Sequence, residues 1–136
     1  MTPEQVGLIQ KSFEKVAPIK EVAADLFYNK LFELDPSLRP LFPEDMSEQK
    51  KKLMATIAFV VASLDRLDQI VPAVESLGRS HVAYGVQDKH YDTVGAALLW
   101  TLEQGLGDAW NDGLKSAWAA AYGVLAETMQ SAAAEA

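Results

Sequence analysis

His81 and His90 are the only histidines in a chain of 136 residues that has no cysteine at all. They lie close together, in Leu77-Gly78-Arg79-Ser80-His81-Val82-Ala83-Tyr84-Gly85-Val86 and the His90-Tyr91 that follows it. An imidazole can carry a proton near neutral pH or give a nitrogen lone pair to a metal. By default, a single histidine on a helix is a surface or satisfied core residue. Without cysteine, disulfides, thiolate metal sites and thiol nucleophiles are excluded, and a reducing cytoplasm is the expected location. Two histidines cannot make the usual zinc sets. A di-iron bundle needs Glu-x-x-His on two helices, but position 78 is Gly and position 87 is Gln. Gly105-Leu106-Gly107 lacks the third glycine and the preceding strand of a phosphate loop, and no Gly-x-Ser-x-Gly elbow occurs. A covalently attached bilin would require cysteine. What remains is a cofactor held without a covalent bond in an apolar helical pocket, with one nitrogen ligand.

The elements that must build such a pocket read as helices throughout. Ala, Leu, Lys, Glu and Gln dominate, and alternation of period two is nowhere sustained. Thr2 is an expected N-cap, with Pro3 at the first helical position and Gln5 completing a capping box. The first helix presents Val6, Ile9, Phe13 and Val16 on one face, and Pro18 interrupts it. A second helix, about 19–34, turns Ala24, Phe27, Tyr28 and Leu31 inward and stops at Asp35-Pro36. A short helical turn carries 36–42. Asp45 and Glu48 suggest a second capping box opening a helix to about Leu64, with Leu53, Ile57 and Val60 on its apolar side. Asp65 to Gln69 reads as a polar connection. The next helix starts near Pro72, carries Val74, Leu77 and His81, and stops near Tyr84-Gly85. Helices at about 89–106 and 110–130 follow, and 131–136 reads as a frayed tail. The whole is expected to be one domain, residues 1–136.

The net charge of −7 favours solubility and argues against nucleic acid as a partner. Lys50-Lys51-Lys52 is too short to change that. No apolar run reaches the length of a membrane span, and Met1-Thr2-Pro3-Glu4-Gln5 has neither the basic nor the apolar region of a signal peptide.

Several residues spread along the chain resemble, as an ordered set, the globins. These are Phe27-Tyr28, Pro36 with Phe42, Gln49 with Leu53, and His81 in Leu77-Gly78-x-x-His81-x-x-Tyr84-Gly85-Val86. His90-Tyr91 and Trp118-x-x-x-Tyr122-Gly123 extend the set, which spans residues 5 to 130. More narrowly, it is similar to the bacterial single-domain haemoglobins related to the globin part of flavohaemoglobins. The resemblance implies an all-α globin fold, about seven helices around a haem pocket, with a separate D helix absent because 42–49 leaves no room for one. It implies haem b (iron protoporphyrin IX) as cofactor and dioxygen, carbon monoxide and nitric oxide as ligands.

On this resemblance His81 is the proximal iron ligand, its second ring nitrogen bonded to the Leu77 carbonyl one turn earlier. Tyr28 and Gln49 are the distal pair, donating hydrogen bonds to a bound diatomic, and Leu53 closes over it. Phe42 wedges the haem at a corner set by Pro36, and Lys52 reaches a propionate. Val86, His90 and Tyr91 line the proximal side or the haem edge, with Tyr91 against the proximal histidine. Flavohaemoglobins pair that tyrosine with a glutamate on the last helix. The matching position here is Ala133; Glu127 and Glu135 are out of phase and Gln130 is the nearest polar residue. This weakens the case for a strongly activating iron. No distal histidine is present, so a five-coordinate ferrous iron is expected. Water, Tyr28 or Gln49 would fill the sixth position in the ferric state. Trp100, Trp110 and Trp118 are expected to be packing residues.

Two functions follow from the resemblance. One is reversible dioxygen binding for storage, scavenging or delivery. The other is nitric oxide dioxygenation to nitrate, with a separate reductase because no flavin or nicotinamide domain is expected in the chain. A haem-free globin-shaped interaction module is the third reading, and the presence of His81, Tyr28 and Phe42 together speaks against it. A monomer or weak homodimer is expected.

Overall fold

The computed structural model describes residues 1–83 and 85–135, with the side chains of all of these except Ala83 and Glu135. Among the described residues six α-helices run in chain order: α1 (Pro3–Val16), α2 (Lys20–Leu34), α3 (Ser47–Ala62), α4 (Leu67–Ala83), α5 (Asp88–Leu106) and α6 (Asp112–Glu135). Short 3-10 turns fill Ala17–Ile19, Pro36–Leu41, Leu64–Arg66 and Gly107–Ala109. No strand occurs among the described residues. The all-helical expectation holds, and the short helical turn expected at 36–42 is the 3-10 turn Pro36–Leu41, consistent with about seven helical elements.

Local sequence explains most of the boundaries. Thr2 caps α1 through a reciprocal pair: its hydroxyl accepts from Gln5 N–H at 3.1 Å, and Gln5 Oε1 accepts from Thr2 N–H at 3.0 Å. Pro18 lacks an N–H, so the chain tightens into the turn Ala17–Ile19 before α2 begins. Asp35, ahead of Pro36, is extended (φ −146°, ψ 90°), as a residue before proline must be. Its carboxylate accepts from both the N–H and the hydroxyl of Ser37, and these bonds hold it below the usual carboxylate range. At the end of α4, Gly85 takes φ +87°, its N–H donates to the Val82 carbonyl, and Val86 N–H donates to the His81 carbonyl, both at 3.0 Å. This is the Schellman pattern, in which glycine is favoured because a Cβ is penalised at positive φ.

Three expectations are corrected. The capping box of Asp45 and Glu48 does not form: Asp45 instead accepts from Ser47 N–H at 2.9 Å, two residues on, and Met46 stands at the N-cap without a side-chain cap. Aspartate satisfies a nearby N–H in this way in turns as readily as in caps. The polar connection at 65–69 is not a linker, because α4 starts at Leu67 and Pro72 lies inside it. Leu67, Ile70 and Val74 continue the helical stripe of Leu77 and His81, while Asp68, Gln69 and Pro72 stay exposed on the outer side. Residues 131–135 are not a frayed tail: α6 runs to Glu135 and Ala132 is 2 % exposed, while Ala136 lies outside the described residues. A run of alanines favours helix, and burial of Ala132 gives it a reason to persist.

The packing places two apolar clusters side by side. One gathers Ile9, Val16, Met54, Val61, Leu102 and Trp118 from α1, α3, α5 and α6. Trp118 is a packing residue, its indole N–H donating to Ser12 Oγ at 3.0 Å while that hydroxyl donates to the Ile9 carbonyl. The second cluster holds Phe27, Tyr28, Leu31, Leu38 and Ala97, with Phe32, Phe42 and Leu53 against it. Helix α4 lies on α6. They approach at Gly78, where a Cβ would run into the Met129 carbonyl, with Met129 Cα only 2.7 Å away from it.

Candidate functional site

His81 stands on the last turn of α4, half-buried, with Nδ1 2.6 Å from the Leu77 carbonyl oxygen. A carbonyl can only accept, so the proton lies on Nδ1 and the lone pair of the neutral ring lies on Nε2. Main chain and side chain are both secured, since the His81 carbonyl takes the Val86 N–H. His90 has the opposite arrangement. Its Nδ1 accepts from Gln87 N–H at 3.0 Å, which puts the proton of the neutral ring on Nε2. His90 is 6 % exposed and sits in the first turn of α5, where it ties down the N-terminus of that helix.

Tyr91, also buried, has its ring 6.5 Å from that of His81. Its carbonyl accepts from the Tyr122 hydroxyl at 2.6 Å. The Tyr122 ring lies over Gly95, where a Cβ would come within 2.8 Å of it. Burial pushes the Tyr122 hydroxyl far above the ordinary tyrosine range, with Tyr91 and Asp92 adding to it. Tyr91 is raised too, by burial and by Asp88. Gln130 reaches the Asp88 carbonyl at 3.4 Å, joining α6 to the start of α5, and Ala133 stands half-buried further along α6.

A second polar pair lies in the other cluster. Gln49, on the first turn of α3, donates through Nε2 to the Tyr28 hydroxyl at 3.2 Å. Tyr28 is 4 % exposed. Burial raises its hydroxyl above the usual range, and the bond from Gln49 pulls the other way. Tyr28 therefore stays protonated at neutral pH and keeps an O–H to give. Its ring packs against Phe27 (centroids 5.0 Å), Phe42 (5.6 Å) and Phe32 (6.0 Å). Leu53 follows Gln49 by one turn and is half-buried. Behind it lies an apolar void of about 20 Å³, bounded by Phe27, Met54, Ile57 and Leu98 among others. With no polar lining, such a void stays dry.

The structure thus brings together Tyr28, Gln49, Phe42 and Leu53 in one group, and Leu77, His81, Val86, His90 and Tyr91 in another. Lys52 is exposed on α3. Tyr84, part of the sequence motif, lies outside the described residues. Sequence reasoning passed over Phe32 and Arg39, and it noted Tyr122 without a role. Phe32 had a signal, four residues after Tyr28 and so on the same helical face. Arg39 had none, because its partners are main-chain carbonyls.

His81 Nε2 is the nitrogen that could hold a metal. Among the described residues no three His, Cys, Asp or Glu side chains converge on a common point. Among the same residues no helix is long and apolar enough to cross a membrane.

Comparison with known proteins agrees with this geometry. Residues 25–129 match the family model described as Globin. A flavohemoprotein of Bordetella parapertussis is 33% identical over 132 residues, covering 95% of this chain and 33% of that protein. The chain therefore spans about a third of the flavohemoproteins it matches. Neuroglobin of Danio rerio is 32% identical over 143 residues, covering 95% of this chain and 90% of that protein. A bacterial globin from Campylobacter jejuni superimposes with a TM-score of 0.86 at 26% identity, over 98% of this chain and 97% of that one. By fold, by sequence and by the order of its residues, the chain belongs to the globin family.

Proposed function

We propose that the chain binds haem b through His81 Nε2 and takes up dioxygen reversibly on the side lined by Tyr28 and Gln49. The observation that carries this reading is the Gln49–Tyr28 hydrogen bond at 3.2 Å inside an aromatic cluster. The residues fit the group. His81 offers one nitrogen with its proton held away by Leu77, and Phe42 offers a flat apolar wall. Haem, when bound, supplies a ferrous iron that takes up diatomic gases.

The chain's own residues then decide how a gas is held. Gln49 gives one amide hydrogen to the Tyr28 oxygen, and Tyr28 gives its proton onward. A gas that gains negative charge on binding is the natural acceptor for that proton. Leu53 limits the space beside it, and the apolar surroundings keep water from competing. Leu77 holds the ring of His81 and Tyr91 lies beside it, with Val86 and His90 lining the same side. On this reading Lys52 extends to a propionate at the surface. The expected compartment is the cytoplasm.

Nitric oxide dioxygenation is the second reading, favoured by a hydrogen-bonded pair that would hold dioxygen long enough to react. Nitric oxide, dioxygen and one electron give nitrate, with the electron supplied by a separate reductase. Ala133 stands where a glutamate would push electron density through the proximal side, so the chain would rely on the Tyr28 side alone.

The rate of dioxygen release from the reduced, haem-loaded protein tests the proposal. Tyr28→Phe should speed release by about ten- to a hundredfold, the equivalent of roughly 1.5 to 3 kcal/mol for a bond to a partly charged acceptor. Gln49→Leu should speed it by less. Unchanged rates in both variants would remove the pair from the gas site. Slow release in the wild-type protein would favour scavenging or dioxygenation, and fast release storage or delivery.

A further inference from the structure

We propose that Arg39 is a positioning residue of the gas pocket: its guanidinium fixes the loop between the 3-10 turn Pro36–Leu41 and α3, and so sets the Gln49–Tyr28 hydrogen bond. The inference rests on the site reading above. Arg39 Nη1 donates to the carbonyls of Phe42 (3.3 Å) and Pro43 (2.9 Å), and Nη2 donates to that of Glu44 (3.0 Å). Three successive carbonyls thus point at one side chain. The Arg39 carbonyl accepts from Phe42 N–H at 3.1 Å, so residues 39 and 42 are tied twice. The guanidinium carbon lies 5.4 Å from the centroid of the Phe32 ring. That ring packs at 5.4 Å on Phe42 and at 6.0 Å on Tyr28.

The loop matters because of what stands at its two ends. Phe42 precedes it, and Gln49 follows on the first turn of α3. Met46 gives α3 no side-chain cap, and Asp45 holds the N–H and the hydroxyl of Ser47. Lys50 ties the first turns of α3 to Asp25 of α2 at 2.8 Å, and on the loop side residues 42–44 are fixed by Arg39. A planar fork of five donors suits three carbonyls in a row, whereas the point charge of a lysine cannot span them. The same guanidinium covers the outer face of the aromatic group that holds Tyr28. One side chain thereby registers both halves of the polar pair.

The test uses the haem-loaded protein with carbon monoxide, whose C–O stretching band falls in frequency when a hydrogen-bond donor faces its oxygen. Thermal melting of each variant is recorded alongside. Arg39→Met keeps the stem and loses the donors. It should broaden or split the band towards the position seen in Gln49→Leu, and speed dioxygen release about threefold or more. Arg39→Lys should fall between Met and wild type. If Arg39→Met does not fold, Arg39→Lys decides the matter by the same shift. A single unshifted band in the Arg39 variants, with lowered melting and a clear shift in Gln49→Leu, would leave Arg39 a stability role only and overturn the proposal. A band unmoved in Tyr28→Phe and Gln49→Leu would instead sink the site reading, and this inference with it.

Discussion

The His81 ring is held by Leu77 and its carbonyl by Val86, four and five residues away, whereas Gln49 and Tyr28 meet from 21 positions apart. The first arrangement is built within one helix end and its closing turn. The second depends on the packing of α2 against α3, and Arg39 holds the loop at 42–44 that leads into α3. A bond to a carbonyl one turn back aims a ring without help from the rest of the fold. Two side chains on different helices meet only when those helices pack together. The two histidines repeat the lesson on a smaller scale. Both rings are fixed by local main chain, but His81 donates from Nδ1 and His90 accepts there, so the lone pair of the one lies on Nε2 while that of the other caps a helix.

This contrast can be broken most completely at its local half. His81→Ala should purify with haem content well below one per chain, and normal content with an unaltered ferrous spectrum would refute the ligand assignment. Next in size is the contact that carries His81's helix. Gly78→Ala should lower the unfolding free energy by roughly 2 to 3 kcal/mol, because the Met129 backbone cannot yield as a side chain can. Alanine would otherwise gain about 1 kcal/mol in a helix, so a stabilised variant in urea titration would contradict the close approach.

Tyr122→Phe sharpens the comparison with a smaller effect. It removes a part-buried bond to the Tyr91 carbonyl and should cost about 1 kcal/mol, read as a lower urea midpoint at unchanged slope. The release rate of dioxygen should move far less than in Tyr28→Phe; equal changes would erase the distinction between the two sides. Smallest at neutral pH is the alkaline response. The hydroxyls of Tyr28, Tyr91 and Tyr122 are all raised. Their contribution to stability is complete below the unfolded value of about 10 and is lost as pH rises through the folded values. Phenolate absorbance should therefore show Tyr28, Tyr91 and Tyr122 ionising late, together with loss of helical ellipticity. Ionisation at the ordinary pH with helices intact would show them to be accessible.

Much of the fold was legible because its signals are local. The Thr2–Gln5 cap, the break at Pro18 and the stop at Asp35-Pro36 each depend on residues within a few positions. The failures share a cause as well. Asp45 carries the same short carboxylate in a turn as in a cap, so its sequence could not separate the two. The start of α4 was hidden because Asp68 and Gln69 are polar on a face that happens to be outer. The order at the end of α6 depends on burial of Ala132, a property of its neighbours and not of alanine.

The sequence by itself determined the helical class, the inward stripes and the place of His81 above Leu77, since each follows from a period or from an offset of a few residues along one helix. The tertiary structure alone decided that Gln49 reaches Tyr28, that Tyr122 holds Tyr91, that Gly78 admits Met129 and that Arg39 gathers three carbonyls. Contacts across helices depend on how whole elements cross, and main-chain carbonyls look alike in every sequence. A side chain that binds them leaves no mark in the chain until it is folded.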